Sequence, residues 1–136
     1  MAKRRRGARS APSRHRHHRR FEELVEVALD AIPEPFASAL DEVAVVIADD
    51  PTPDQRRQND IGPDETLYGL YEGVPRTEWG ADWVEIPNRI TLFRLPLEED
   101  FADPDELADE VWITVIHELA HHLGIDDDRL HELGID

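Results

Sequence analysis

Cysteine is absent from the 136 residues. Disulfides, thiolate metal sites and thiol nucleophiles are therefore excluded. Long apolar runs are missing as well. No stretch approaches the roughly 18 apolar residues of a membrane span, so no membrane partner is expected. The N-terminus is rich in arginine but no apolar segment follows it, which argues against a secretory signal and for a cytoplasmic protein. Methionine occurs once, as Met1.

Acidic residues are absent from one part of the chain only. Residues 1–20 hold nine of the 15 Lys and Arg residues and none of the 31 Asp and Glu. The rest of the chain carries six basic residues against all 31 acids, so it lies near −25 within a net charge of −16. Residues 1–20 also lack core-forming side chains and are expected to be a disordered basic arm. Such an arm could reach nucleic acid by displacing phosphate counterions. The plainer reading is a solvated tail, or one folding back on its own acidic domain. His15, His17 and His18 in the arm have no packed surroundings to orient them as metal ligands.

Residues 21–136 have the length of one compact domain. Phe21, Leu24, Val25, Ala28, Leu29 and Ile32 recur at helical spacing, and Pro33 and Pro35 stop that helix. A short turn of helix over Phe36–Leu40 is expected next. The β-branched run Val43–Ala48 predicts a strand buried on both faces. Asp49–Asp64, polar and proline-rich, predicts a loop. Leu67–Tyr71 predicts a weaker strand and Gly73–Asp82 a loop. Ile90–Leu95 predicts a strand ended by Pro96, either an ordinary sheet strand or an edge that pairs with an extended peptide. Leu97–Phe101 predicts one helical turn. Trp79, Trp83 and Trp112 are expected to pack.

The longest helical signal comes last. Asp103 suits an N-cap, Pro104 the first helical position, and Asp105 and Glu106 the first turn. An apolar face runs from Leu107 to Leu123, and Gly124 is a natural stop. Inside this helix lies His117-Glu118-Leu119-Ala120-His121. Histidines four apart share one helix face, so their imidazoles can converge on one ion. Glu118 is turned about 100° from His117, beside such an ion and not on it. There it can accept a proton from a water whose pKa zinc lowers to near 7. His122 points about 100° from His121 and is read as structural, or as an outer partner of the metal site. Tyr68 and Tyr71 could steady an oxyanion, though half-buried sheet tyrosines are the commoner case.

A catalytic zinc needs a third protein ligand. Gly124 lets the chain turn sharply, and Asp127 follows three residues later. Asp126, Asp128, His131 and Glu132 lie close by. One of the three aspartates is expected to cap a short helix over Asp128–Leu133.

The string His117-Glu118-x-x-His121-x-x-Gly124-x-x-Asp127 resembles the extended zinc motif of the metzincin side of the zincins. HELAHHLGIDDDRLHELG as a whole, with LYGLYEGVPRTEWG and PNRITLFRLPLE upstream, resembles a family of small bacterial zincin-like metallopeptidases. This resemblance covers most of residues 40–136. It implies a small mixed sheet beside the motif helix. With the N-terminal helix read from periodicity, the expected fold is α+β: a minimal zincin-like arrangement in which three or four strands pack against an N-terminal helix and the motif helix. It implies His117, His121 and Asp127 as zinc ligands, Glu118 as general base, and a peptide or protein as substrate. His131 and Glu132 stay open as alternative third ligands. The methionine-containing turn of metzincins has no counterpart here, and with nine residues past Asp127 no C-terminal half of a cleft is expected. Two other readings stand beside this one. A metal-dependent endoribonuclease is disfavoured by the acidic body and by Asp127, where a His-x3-His-x5-His pattern has histidine. A non-catalytic module would hold its zinc with four protein ligands.

Overall fold

The computed structural model describes residues 20–73 and 88–134. Residues 1–19, 74–87 and 135–136 lie outside the described residues, and with them the expected arm up to residue 19, all but the first residue of the loop expected over Gly73–Asp82, and Trp79 and Trp83. The architecture is α+β, a small mixed sheet packed against helices, as the resemblance implies.

Helix α1 covers residues 20–30, so Arg20 is already helical. Its stripe Phe21, Val25 and Ala28 is buried, as is Ile32 just past its end, as the periodicity predicts. α2 (Phe36–Ala39) runs directly into a 3₁₀ turn, Leu40–Glu42. Strand β1 is Ala44–Ala48. The predicted loop that follows contains a helix, α3 (Pro53–Gln58), built on a capping box. The Thr52 hydroxyl accepts the Gln55 N–H at 3.0 Å, and the Thr52 N–H donates to the Gln55 side chain at 2.9 Å. No residue of α3 is buried. Apolar periodicity therefore had nothing to report, and the Thr-Pro-Asp-Gln cap was the only local sign.

β2 (Gly69–Glu72) and β3 (Arg89–Phe93) complete a three-stranded sheet of order β1-β3-β2. β3 is central, parallel to β1 and antiparallel to β2. This corrects two expectations. β3 cannot be a peptide-binding edge, because both of its sides are already paired. β1 is not buried on both faces: at the side of the sheet it alternates between exposed and half-buried, and Val46 is 38% exposed. The strand covered on both faces is β3, where Ile90, Thr91, Leu92 and Phe93 are all buried.

β3 also ends earlier than predicted. Arg94 opens α4 (Arg94–Asp100), and Pro96 falls in its first turn, where a missing N–H costs nothing. The buried Arg94 guanidinium bonds Asp49 at 3.0 and 3.2 Å and Glu98 at 2.7 Å, so the chain turns where the ion pairs can form.

α5 (Pro104–Leu123) is the spine, and its ends follow the expected signals. Asp103 caps it through the Asp105 N–H. At the far end Gly124 takes φ 74°, and the Ile125 N–H donates to the Ala120 carbonyl at 2.8 Å, a Schellman closure. Val111, Val115, Ile116 and Leu119 are fully buried and meet Phe21, Phe36, Ile90 and Leu92 in one core. Trp112 packs against that core, as expected, and its indole N–H donates to the Ala31 carbonyl at 3.2 Å. The terminal helix α6 (Asp127–Glu132) starts one residue earlier than predicted, because Asp126 is its cap.

β2 lies directly against α5. A Cβ on Gly69 would stand 2.6 Å from Thr114 Cγ2. Thr114 is buried and β-branched, so its methyl has little freedom to yield. Gly69→Ala should therefore cost about 1–3 kcal/mol in urea unfolding. Adding Thr114→Ser, which removes that methyl, should restore most of the loss. A neutral Gly69→Ala would show that the contact is not tight.

Candidate metallopeptidase site

The C-terminal half of α5 presents its polar residues in two adjoining stripes. Thr114, Glu118 and His122 recur every four residues on one. His117 and His121 share the next, with Glu110 two turns below His117.

The first stripe faces β2. The Phe93 N–H donates to the Tyr68 carbonyl at 2.9 Å, and Tyr71 stands opposite Ile90. Antiparallel pairs alternate, so the Leu70 N–H faces β3 while the Tyr71 N–H points off the sheet. The Tyr71 N–H donates to Glu118 Oε1 at 2.8 Å. Two residues of strand advance about 6.8 Å and four of helix about 6 Å, so Gly69 meets Thr114 and Tyr71 then meets Glu118. Glu118 is held with its side chain only 15% exposed, whereas that of His121 is 60% exposed.

His122 is fully buried. Its Nε2 donates to Glu42 Oε1 at 2.7 Å, and its Nδ1 lies 3.0 Å from the Tyr71 hydroxyl, whose single proton is donated to Asn88 Oδ1 at 3.1 Å. The structural reading of His122 agrees with this placement. Glu42 and Asn88 escaped the sequence reading. Glu42 is 80 positions from His122, and no local pattern links them.

Neither tyrosine offers its hydroxyl to an oxyanion. That of Tyr71 is engaged as described, and that of Tyr68 donates to Asp100 Oδ2 at 2.5 Å.

The third-ligand candidates separate by what they already hold. The Asp126 carboxylate accepts the Arg129 N–H at 2.9 Å as the α6 cap. Glu132 pairs with Arg129 at 2.9 Å. Asp127 is exposed in the first turn of α6, and its charge helps to raise the pKa of His121. The main cause of that rise is the hydrogen bond from His121 to Glu118; burial opposes it, and the Glu118 charge adds to it. Among the described residues no three His, Asp or Glu side chains are gathered in a cluster that could hold an ion. His121 Nδ1 lies 3.5 Å from Glu118 Oε1, so this imidazole is turned toward its own helix neighbour. The donor chemistry nevertheless fits zinc: two imidazoles one turn apart and a carboxylate whose field reaches one of them.

A groove of about 710 Å³ lies elsewhere, between α1 and the start of α5, lined by Leu24, Phe101 and Leu107 among others. Leu107 is about 15 Å along α5 from His117 by helical rise, so this groove is not the metal site.

A mixed sheet laid against a helix that carries His-Glu-x-x-His is the arrangement of a zincin-type metallopeptidase. A family model for zincin-like metallopeptidases matches residues 40–135, and the chain belongs to that family. No curated protein matches the chain. No helix among the described residues is long and apolar enough to cross a membrane.

The Tyr68 phenol is pushed up to about 12, first by its bond to Asp100, then by burial and the charges of Asp100 and Glu110. An unfolded tyrosine ionises near 10, so the native state alone keeps this proton between about 10 and 12. The contribution to stability is thus complete below pH 10 and lost as pH rises across that window. Asp100→Asn should return the Tyr68 titration toward 10, as read by tyrosinate absorbance.

Proposed function

We propose that the chain hydrolyses peptide bonds, with Glu118 as general base and His117, His121 and Asp127 as zinc ligands. The observation that carries this reading is the position of Glu118. Its carboxylate sits on the helix face next to the two histidines and is pinned by an outward-pointing N–H of a strand. A base has to be held in register with the bond it serves, and a main-chain donor on a packed strand holds it better than solvent does.

Zinc, when bound, supplies Lewis acidity, acidifying a water and polarising the scissile carbonyl. Glu118 takes the proton released on attack and delivers it to the departing amine. The outer side of β2 around Gly69 and Tyr71 is the strand edge nearest that base.

Glu118→Gln should retain zinc and reduce hydrolysis of a peptide-library substrate by about 10²- to 10⁴-fold. Turnover at the wild-type rate in this variant would sink the mechanism. His117→Ala and His121→Ala should each lose the metal on dialysis, read by elemental analysis. Asp127→Ala should weaken zinc affinity more than Glu132→Ala or His131→Ala does. Because ligating imidazoles must be neutral, zinc should be released as pH falls through the histidine range, about 6.5 and below.

A further inference from the structure

We infer that the buried pair Glu42–His122 and the Tyr71 phenol are positioning residues, which set the Tyr71 N–H against Glu118 and so orient the general base. The inference rests on Glu118 being that base.

The argument starts from the sheet edge. An outward N–H on an edge strand normally exchanges its hydrogen bond with water, and edge strands fray. Here the N–H of Tyr71 is given to Glu118 at 2.8 Å, so residue 71 must be held against α5 by something other than the ladder to β3. Its own side chain does this. The phenol crosses the first stripe of α5 and meets His122 Nδ1 at 3.0 Å, one helical turn beyond Glu118.

His122 is itself fixed from the other side. It has no exposed surface, and its Nε2 bonds Glu42 at 2.7 Å. Glu42 is placed by the 3₁₀ turn that leads into β1. Asn88, just before β3, accepts from the same phenol at 3.1 Å. Segments in β2, before β3 and in α5 thus meet at one hydroxyl, and the segment before β1 joins them through the bond of Glu42 to His122. A histidine that served packing alone would not need bonds at both ring nitrogens to partners 80 and 51 positions away. The strand residue they hold is the one whose main chain holds Glu118.

Amide hydrogen exchange on the full-length protein tests this with an internal control. Leu70 N–H faces β3 and Tyr71 N–H faces Glu118. Tyr71→Phe removes only the hydroxyl, and Glu42→Gln weakens the acceptor for His122 at a partly exposed side chain, so both variants should fold. Each is expected to speed exchange at position 71 by about tenfold or more, the worth of a hydrogen bond to a charged acceptor, and to leave Leu70 unchanged. With zinc content unaltered, kcat on a peptide substrate should fall by about tenfold or more while KM stays near wild type. Equal acceleration at positions 70 and 71 would make the network a general staple of the strand and overturn the inference. So would unchanged exchange at position 71, or selective exchange with undiminished kcat while Glu118→Gln is inactive. If Glu118→Gln hydrolyses peptide normally, the general-base reading is what fails, whatever the exchange pattern.

Discussion

The contact between β2 and the C-terminal half of α5 organises this small protein. A strand residue without a side chain, Gly69, lets the backbone approach Thr114, and the next outward residue then meets Glu118. The two elements advance by nearly equal steps along this contact. Helix and sheet therefore stay in register just where the proposed general base lies. The core beneath the contact, from Phe21 through Ile90 and Leu92 to Ile116 and Leu119, supplies the apolar burial that holds the two surfaces together.

A polar network lies over that core. His122 is the only histidine among the described residues with no exposed surface, and it sits next to His121, whose side chain is largely open. Adjacent positions on a helix face directions about 100° apart, so one imidazole can be buried structure while its neighbour is available to an ion. The division of labour between His121 and His122 comes from that rotation alone. Asp126 and Asp127 divide in the same way: the first is spent on the α6 N-cap, and the second is exposed within the helix it starts.

Much of this was legible residue by residue. The cap, proline and acids that open α5 and the glycine that closes it are local signals, because they act on backbone groups a few positions away. The apolar stripe of α1 and the existence of all three strands were legible for the same reason. Where the reading failed, the missing information was non-local or lay outside apolar periodicity. α3 buries nothing, so only its capping box marked it. The run Val43–Ala48 looked doubly buried, yet β1 lies at the side of the sheet, because strand order depends on which segments pair and not on composition. Ile90–Leu95 took the centre, and Arg94 left the strand for an ion pair with Asp49, 45 positions away.

The candidate site divides along the same line. His117, Glu118 and His121 are related by helical geometry, so once α5 forms, their common side of the helix is decided. The sequence was enough for that, and for the glycine exit at the end of α5. It could not show that the main chain of Tyr71 would hold Glu118, or that Glu42 and Asn88 would close around the phenol and His122. Those partners are tens of residues apart, and only the pairing of β2 with β3 and the packing of both against α5 bring them within hydrogen-bonding distance. Short-range periodicity sets what a helix can present; chain topology sets what meets it.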